Sequence, residues 1–462
     1  MSSSKFDAFK KYVNGKNISV VGIGISNLPL IKFLAKNGAK VTACDKKAEE
    51  ELGETGVELL ALGVKLNCGE NYLDNLSGEI IFKTPGMRFD LPALVKAREN
   101  GSIVTSEMEV FFEVCPAKII AVTGSDGKTT TTTLIAKMLE REGKTVHLGG
   151  NIGNPLLCDA DKIQSEDIVV LELSSFQLHT MKKSADVSVV TNITPNHLDM
   201  HKSYEEYIEA KRNIYLHAEK DSVLVVNNTN DKSYECKDTA RGEVRVFGYD
   251  KDCSVYSDGE SIFAFGKKIL DKSDISIPGE HNVQNYMTAI AATYPLYNEE
   301  AVKKVAKNFG GVAHRIEFVR EIDGVKYYNS SIDSSPNRTI NTLKVFEKVI
   351  LISGGKDKGI PYDELGESLA TKTKHIILIG KTGPLIKEAL DKYAEKTGVG
   401  KDIPVEFCTR YEEAVECARK AASSGDVVLL SNASTSFDMF KNFEERGNLF
   451  KEIVNNLAEA KD

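Results

Sequence analysis

Short apolar runs alternate with amphipathic stretches along most of this chain of 462 residues. Near the N-terminus an apolar run at residues 18–24 ends in glycines, an amphipathic stretch follows at 28–38, and a second apolar run ends at Asp45. Continuous apolar runs predict buried strands, whereas apolar positions spaced by three or four predict helices. The pattern therefore predicts a β-α-β unit of the dinucleotide-binding type.

The same alternation begins again near Lys118 and once more after residue 312. Strands that alternate with helices imply mostly parallel sheets, with ligands at the carboxyl ends of the strands. We predict a three-domain α/β protein: a Rossmann-like domain at 1–113, a central P-loop-like mononucleotide-binding domain at 114–312, and a Rossmann-like C-terminal domain at 313–462. The segment at 232–277, rich in Gly, Asp and short β-like runs, predicts a small antiparallel insertion.

Composition narrows the class of protein. Apolar residues make up 41% and charged residues 27% of the chain, as in soluble globular proteins. Neither a membrane span nor the apolar core of a signal peptide is present, which predicts a cytoplasmic protein without membrane insertion. A net charge of -8 argues against nucleic acid as a partner, and the eight scattered cysteines predict neither zinc nor disulfides.

Residues 121–131, AVTGSDGKTTT, nearly match a nucleoside triphosphate loop. The usual G-x-x-x-x-G-K-[ST] spacing needs a glycine where Val122 stands. Gly124 and Gly127 still allow backbone amides to converge on an anion, Lys128 supplies a positive charge, and Thr129 offers a hydroxyl to Mg²⁺. Because strand, loop, Lys-Thr and helix occur together, we favour phosphate binding over a plain glycine turn.

Two further residues lie where strands end. Glu172 interrupts an otherwise apolar strand, and a buried carboxylate is costly unless it is paired or bound to metal. We interpret it as a Mg²⁺ ligand, with a structural salt bridge as the alternative. His197 follows a strand end and a proline turn, where catalytic groups often lie.

Lys211 falls within the apolar stripe of a predicted helix, in step with Tyr204, Tyr207, Ile208 and Ile214. A lysine there should have a lowered pKa. Its neutral amine can take up carbon dioxide and become a carbamate that binds metal. The alternative is a lysine whose stem merely packs and whose amine reaches solvent, and periodicity does not separate the two.

The chain resembles the Mur ligase family in the order of these stretches: GSDGKTT, GGNIGNP, LELSSFQL, TNITPNHLDMH with EAKRNIY, GEHNVQN, AHRIEF, GGKDKG and SFDMFKNFEERG. The resemblance covers nearly the whole chain. It implies an ATP- and Mg²⁺-dependent ligase that adds D-glutamate to UDP-N-acetylmuramoyl-L-alanine through an acyl phosphate, acting as a monomer.

Matching motif positions imply the site residues. Those for ATP are Gly124, Ser125, Asp126, Gly127, Lys128, Thr129, Thr130, Asn282, His314 and Arg315. Those for catalysis are Lys128, Glu172, His197 and Lys211, with Thr129 and Glu172 on one Mg²⁺, and His197 and carbamylated Lys211 on a second. Those for the UDP substrate are Ser26, Asn27, Asp45, Lys46, Thr84, Pro85, Gly86, Asn151, Ser174 and Gln177. Those for D-glutamate are Lys358, Ser436, Phe437 and Phe443, and Ser334 is a candidate to supply a hydroxyl contact where the Asp-Ser-Lys of other members is missing.

Two departures from expected patterns matter. Asn27 replaces the third glycine of a dinucleotide fingerprint, which favours a nucleotide-like ligand over NAD. Many family members carry Asp-Ser-Lys after the asparagine that matches Asn329, but this chain has Ser330, Ser331 and Ile332. The alternatives are an amide ligase for another amino acid or for folate, a nicotinamide-dependent dehydrogenase, and a nucleotide-binding regulator without catalysis.

Overall fold

The computed structural model describes residues 4–24, 26–153, 155–196, 200–357 and 359–458. It forms two compact units, one running to Asp274 and including Glu280–Lys307, the other comprising Ile275–Gly279 and the chain from Asn308 onward. The first unit contains two sheets and the second contains one. The three sheets expected of three α/β domains are therefore present. The exact domain boundaries at 113/114 and 312/313 stay predictions.

The first sheet is parallel throughout, as the apolar runs predicted. Its strands, in the order β3-β2-β1-β4-β5, are β1 (Asn17–Val21), β2 (Lys40–Asp45), β3 (Lys65–Cys68), β4 (Ile80–Lys83) and β5 (Ile103–Thr105). Its helices are α1 (Lys5–Val13), α2 (Leu28–Lys36), α3 (Glu54–Ala61), α4 (Pro92–Glu99) and α5 (Glu107–Val114). Strands β1 and β4 are neighbours, so the loops that follow them lie at the same edge of the sheet.

The second sheet has nine strands in the order β14-β13-β12-β11-β10-β9-β6-β8-β7. They are β6 (Lys118–Thr123), β7 (Val146–Gly150), β8 (Ile168–Glu172), β9 (Val187–Val190), β10 (Val223–Asn227), β11 (Glu243–Gly248), β12 (Val255–Ser257), β13 (Ser261–Ala264) and β14 (Lys267–Asp271). The accompanying helices are α6 (Lys128–Arg141), α7 (Ser175–Leu178), α8 (Tyr204–Leu216), α9 (Asp231–Tyr234), α10 (Glu280–Thr293) and α11 (Glu299–Asn308). Buried β6 is flanked by β8 and β9, which brings three strand ends together.

The predicted insertion at 232–277 is only partly correct. Strands β12, β13 and β14 pair antiparallel as predicted. However, β11 pairs parallel with β10, and β12 pairs parallel with β11, so this segment continues the central sheet. The prediction of a separate antiparallel insertion was therefore wrong for β11, because the composition of a segment does not determine whether its strands pair parallel or antiparallel.

The third sheet forms the core of the second compact unit. Its strands, in the order β15-β16-β20-β17-β18-β19, are β15 (Glu317–Ile322), β16 (Val325–Ser330), β17 (Val349–Ser353), β18 (Thr373–Ile379), β19 (Val405–Cys408) and β20 (Val427–Ser431). Among the strand pairs of the described residues in this sheet, β15–β16 is the antiparallel one. The helices are α12 (Pro336–Leu343), α13 (Leu365–Lys372), α14 (Gly383–Thr397), α15 (Tyr411–Ala421) and α16 (Phe443–Asn455).

Across the described ranges, no helix has the length and apolar character needed to cross a membrane. The four short 3-10 helices are Glu49–Leu52, Leu157–Lys162, Glu235–Thr239 and Lys272–Asp274. One apolar core runs through both sheets of the first unit and includes Phe82 of β4, Phe111 of α5 and Leu171 of β8. The two sheets of this unit are therefore packed on shared apolar side chains.

Glu107, the first residue of α5, predicts a pH dependence of stability. Its carboxylate accepts a hydrogen bond of 2.9 Å from the Leu157 amide, and burial raises the pKa of Glu107 to about 7 from 4.5. Between these values the folded chain keeps a proton that the unfolded chain has released, so stability contributed by this group falls as pH rises. We expect Glu107→Gln to flatten the dependence of the melting temperature on pH in this window, and an unchanged dependence would contradict the assignment.

Candidate active site

The phosphate-loop sequence forms a tight turn between β6 and α6. Gly124 has a φ of 151° and Gly127, at the N-terminus of α6, a φ of 76°. A Cβ atom on Gly124 would lie 1.9 Å from the Thr191 hydroxyl, and one on Gly127 would lie 2.5 Å from Oδ1 of Asn285. Only glycine fits both positions, so the loop can approach the end of β9 and α10 closely.

Residues that follow β9 hold the loop in place. The Ser125 amide donates to the Asn192 carbonyl over 2.8 Å, and the Asp126 amide donates to Oδ1 of Asn192 over 2.9 Å. The hydroxyls of Ser125 and Tyr207 share a hydrogen bond of 2.9 Å. The first turn of α6, at Lys128, Thr129 and Thr130, is the positive end of a helix, and the backbone amides at such an end favour anions.

Lys128 and Lys211 meet at one backbone carbonyl. Nζ of Lys128 donates to the carbonyls of Gly124 and Ser125, each over 2.9 Å. Nζ of Lys211 donates to the same Gly124 carbonyl over 2.7 Å and lies 3.4 Å from the Thr123 hydroxyl. The two predicted catalytic lysines are thus brought to the end of β6 by helices that lie far apart in sequence.

Lys211 lies on the buried face of α8, as its periodicity predicted. It is 2% exposed, among Tyr207, Ile208 and Ile214, and its Nζ lies 4.6 Å from the centre of the Tyr207 ring. Burial lowers the pKa of Lys211 well below its ordinary value, and the nearby charge of Lys128 lowers it further. The prediction of a lowered pKa is confirmed in direction, and the packed-stem alternative fails because the amine is buried as well.

Glu172 has the environment expected of a metal ligand. It ends β8 opposite Val122 of β6 and is 2% exposed. Its Oε1 accepts a hydrogen bond of 2.9 Å from Nδ2 of Asn151, while its buried Oε2 has no hydrogen-bond partner within the described ranges. A buried carboxylate oxygen without a donor suits Mg²⁺, which prefers oxygen ligands, and the Thr129 hydroxyl would add a second such oxygen.

Of the two residues predicted to hold the second Mg²⁺, the structure describes Lys211. His197 lies outside the described residues, so its placement beside Lys211 stays a prediction. The described part of the chain contains no group of three His, Cys, Asp or Glu side chains that could hold a metal.

The first-sheet residues predicted for the UDP substrate gather at one edge. Gly22 after β1 and Thr84 after β4 are in contact, since a Cβ on Gly22 would lie 3.1 Å from Cβ of Thr84. The Asp45 carboxylate accepts a hydrogen bond of 2.6 Å from the Ile23 amide. Asn27 is buried and donates to the Val21 carbonyl over 3.0 Å. The other members of this set lie beside them in the chain: Ser26, Lys46, Pro85 and Gly86.

The second-sheet residues predicted for the UDP substrate adjoin Glu172. Asn151 contacts Glu172 through its side chain, and its amide donates to the Glu172 carbonyl over 2.7 Å. Ser174 and Gln177 form a reciprocal cap at the start of α7, with the Ser174 hydroxyl 3.0 Å from Oε1 of Gln177. Each of these side chains therefore also shapes the local backbone.

Asn282 of α10 is linked to the phosphate loop through a residue that the sequence reasoning missed. Oδ1 of Asn282 accepts from Nδ2 of Asn285 over 3.0 Å, and Oδ1 of Asn285 accepts from the Thr131 hydroxyl of α6 over 3.2 Å. Asn285 is the last residue of the GEHNVQN stretch, and no role was predicted for it. Its spacing of three from Asn282, which places both on one helix face, was the available signal.

His314 and Arg315 belong to the second compact unit. His314 is buried with a φ of 62°, and its amide donates to Oε2 of Glu317 over 2.8 Å. Its Nδ1 lies 3.0 Å from Nδ2 of Asn329, and burial lowers the pKa of His314. Arg315 is half-buried. Contact of either side chain with nucleotide stays a prediction.

The residues predicted to bind D-glutamate differ in how deeply they are buried. Ser436 is buried, Ser334 and Phe443 are half-buried, and Lys358 lies outside the described residues. Phe437 is 61% exposed and lies before α16, which begins at Phe443. Binding of D-glutamate by Phe437 therefore stays a prediction.

Arg446 of α16 explains how the unusual Ser330–Ile332 stretch is held. It is 1% exposed, and its Nη2 donates to the Ser331 carbonyl over 2.7 Å while its Nε donates to the Ser331 hydroxyl over 2.9 Å. Its Nη1 donates to the Ser434 carbonyl over 3.1 Å. One guanidinium thus joins the loops that carry Ser334 and Ser436. The sequence reasoning missed this arginine because a charged residue in a C-terminal helix is usually solvated.

Comparisons with known proteins agree with this geometry. The MurD-like N-terminal domain of Mur ligases matches residues 16–106, the Mur ligase middle domain matches 122–293, and the Mur ligase glutamate ligase domain matches 314–433. Among solved structures, the UDP-N-acetylmuramate-alanine ligase of Thermotoga maritima is similar in fold, with a TM-score of 0.57 at 20% identity over 95% of this chain and 99% of that one. The chain belongs to the Mur ligase family.

Relatives within the family are close. The chain is 53% identical to the UDP-N-acetylmuramoylalanine--D-glutamate ligase of Acetivibrio thermocellus, over 98% of this chain and 99% of the relative. It is 52% identical to the ligase of the same name from Ruminiclostridium cellulolyticum, over 98% and 100%. The resemblance predicted from the motifs is confirmed, and so are the three-domain α/β architecture and the class of ATP-dependent ligase.

Proposed function

We propose that this chain is the ligase that joins D-glutamate to UDP-N-acetylmuramoyl-L-alanine, with ATP converted to ADP, in the synthesis of peptidoglycan precursors. The observation that carries the proposal is identity of 50% or more, along essentially the whole chain, to relatives named for this reaction. The geometry supports it at the end of β6, where glycines, two lysines and a buried carboxylate surround one phosphate loop. This set argues against a regulator that has lost catalysis.

The proposed reaction has two steps. The terminal carboxylate of the UDP substrate attacks the γ-phosphorus of ATP, which releases ADP and forms an acyl phosphate. The amine of D-glutamate then attacks the acyl carbon, loses a proton, and displaces phosphate to leave an amide. Both steps bring anions together, so fixed positive charges and hydrogen-bond donors must offset their repulsion.

The phosphate loop supplies those donors in our proposal. Amides at the start of α6 bind phosphate oxygens, and Lys128 exchanges its two carbonyl acceptors for the β- and γ-phosphates. Thr129 and Glu172 would hold Mg²⁺, which reduces the charge on the triphosphate when bound. Orphaned Oε2 of Glu172 supports this assignment.

Lys211 would act as a carbamate beside His197. Its buried amine has a lowered pKa, and an uncharged amine is the form that reacts with carbon dioxide. The carbamate anion would lie near Lys128, whose Nζ shares the Gly124 carbonyl with that of Lys211. The lysine would thereby become an oxygen ligand for the second Mg²⁺.

The two remaining substrates use separate parts of the chain. The strand ends around Asn27, Asp45 and Thr84 would hold the UDP moiety, with Asn151, Ser174 and Gln177 at the muramoyl-alanine end. Ser334, Lys358, Ser436, Phe437 and Phe443 would hold D-glutamate, and Asn282, His314 and Arg315 would contact the nucleotide. In keeping with the family resemblance, we propose that the ligase acts as a cytoplasmic monomer on small molecules.

Amino-acid dependence tests the proposed function. Phosphate release from ATP should require UDP-N-acetylmuramoyl-L-alanine and D-glutamate together, with a product whose mass equals the sum of the two minus water. Reactions without either substrate serve as controls, and L-glutamate, L-lysine and meso-diaminopimelate should give little turnover. Equal turnover with any of these three would exclude the assignment of D-glutamate.

A further inference from the structure

A charged cluster joins the turn after β4 to the start of α8, and the roles described above do not use it. We define the Arg88 cluster as Arg88, Asp90, Lys202 and Glu206. The Arg88 guanidinium donates from Nη2 to Oε1 of Glu206 over 2.8 Å and from Nη1 to Oε2 over 3.1 Å. It also donates from Nε and Nη2 to Asp90 over 2.9 and 3.0 Å, and from Nη1 to the Met200 carbonyl over 2.7 Å.

The two carboxylates of the cluster are held as anions. Hydrogen bonds from Arg88 lower the pKa of Glu206 to about 2 and, with those from Lys202, lower the pKa of Asp90 as well. Only about a fifth of each of the Arg88 and Glu206 side chains is exposed, at 21%. A planar guanidinium can bond two carboxylates and a carbonyl at once, which an ammonium group cannot do with the same geometry.

The Arg88 cluster lies between the turn predicted to contact the UDP substrate and the helix that carries Lys211. Arg88 comes two residues after the turn at 84–86, which is predicted to contact the UDP substrate. Met200 is the first described residue after His197, and Glu206 lies in the first turn of α8, which carries Lys211. The Arg88 side chain, which follows β4 of the first sheet, thus forms hydrogen bonds to Met200 and Glu206. These two residues lie in the segment between His197 and Lys211, the predicted ligands of the second Mg²⁺.

Two histidine rings lie beside the Glu206 carboxylate. Nε2 of His179 lies 3.6 Å from Oε1 of Glu206, and Nδ1 of His201 lies 3.6 Å from Oε2. Nε2 of His201 is also 2.9 Å from the Ser175 hydroxyl, one residue after Ser174 of the predicted substrate site. The second-sheet elements that face the UDP substrate and the metal are therefore packed around the same carboxylate.

We propose that Arg88 is a positioning residue that couples occupancy of the turn at 84–86 to the placement of α8, and so of Lys211. The inference rests on the proposed function. Substrate bound at the turn restricts its motion, and Arg88 transmits this restriction because it is bonded to the Met200 carbonyl and to Glu206. The UDP substrate would in this way organise the catalytic segment before the chemical step.

Hydrogen exchange tests the coupling without catalysis. In the wild-type chain, UDP-N-acetylmuramoyl-L-alanine should slow amide exchange both at 84–90 and at 200–210. In Arg88→Lys it should slow exchange at 84–90 only. Protection of 200–210 that persists in this variant overturns the coupling, whereas absence of protection at 84–90 in the wild-type chain overturns the substrate site and the coupling with it.

Kinetics supply a second, independent readout. Arg88→Lys should lower kcat about tenfold and leave the KM for D-glutamate within about twofold, as expected for loss of one link in a coupling network. The matched control is Arg98→Lys, because Arg98 donates to the Phe89 carbonyl of the same turn over 2.9 Å without reaching the second sheet. It should behave as wild type.

A double-mutant cycle between Arg88→Lys and Glu206→Gln locates the coupling. The double variant should be no slower than the slower single variant, since both substitutions remove one shared interaction. Effects on kcat that multiply would show that the two residues do not act through one shared interaction, and a loss in Arg98→Lys equal to that in Arg88→Lys would show that the effect is not specific to the cluster. Either result would overturn the proposal.

Discussion

Replacing Lys211 by alanine is expected to lower kcat about 10³-fold, the order of loss seen when a preorganised stabilising group is removed from an active site. The physical reason is that the buried amine of Lys211 is the precursor of the proposed carbamate. Alanine also leaves a cavity, so formate or acetate should restore part of the activity by supplying an oxygen anion. Initial rates of phosphate release, measured with and without these carboxylates, test both expectations.

Lys211→Ala could lose activity because the phosphate loop changes its structure and not because the carbamate is missing, so a second variant is needed. Lys211 donates to the Gly124 carbonyl, so its removal also frees the phosphate loop. Lys211→Arg keeps a donor but forms no carbamate, and we expect it to be inactive and not rescued by carboxylates. The matched control is Lys237→Ala, in which a half-buried lysine with its Nζ 3.6 Å from the centre of the Tyr234 ring is lost away from the loop. Normal turnover by Lys211→Arg would show that the carbamate assignment is wrong.

The sequence predicted those features of the site that depend on residues close together in the chain. The helical period placed Lys211 in the buried stripe of α8, and a charge inside an apolar strand identified Glu172 as a buried carboxylate. The shortened phosphate loop followed from two glycines before Lys-Thr, and the structure shows why both are needed, since Thr191 and Asn285 occupy the space of any Cβ.

Contacts between distant segments were not predictable in the same way. Arg88 and Glu206 are separated by 118 positions and Ser331 and Arg446 by 115, so no periodicity relates either pair. A sequence pattern shows which face of an element is buried, but the partner on that face is selected by the packing of the whole unit.

Replacing Glu172 by glutamine should separate function from stability. We expect kcat to fall about 10²- to 10³-fold and the Mg²⁺ concentration for half-maximal rate to rise, because the neutral amide is a poor Mg²⁺ ligand. We expect the nucleotide-free chain to become more stable, by about 1 kcal/mol, because a buried anionic oxygen without a donor is removed. Thermal unfolding without ligand and Mg²⁺ titrations of the rate measure the two effects.

The opposite signs of these effects distinguish a metal ligand from a structural acid. Glu107→Gln is the matched control, since Glu107 is also buried but its carboxylate accepts the Leu157 amide and lies away from the phosphate loop. Its activity and Mg²⁺ dependence should equal those of the wild-type chain. A structural Glu172 would instead lose stability on substitution and keep its Mg²⁺ dependence, because its charge would then be satisfied within the fold. If Glu172→Gln unfolds at a lower temperature and turns over normally, Glu172 is not a metal ligand. If the variant unfolds at a higher temperature and loses turnover, the free energy spent on burying this charge serves catalysis.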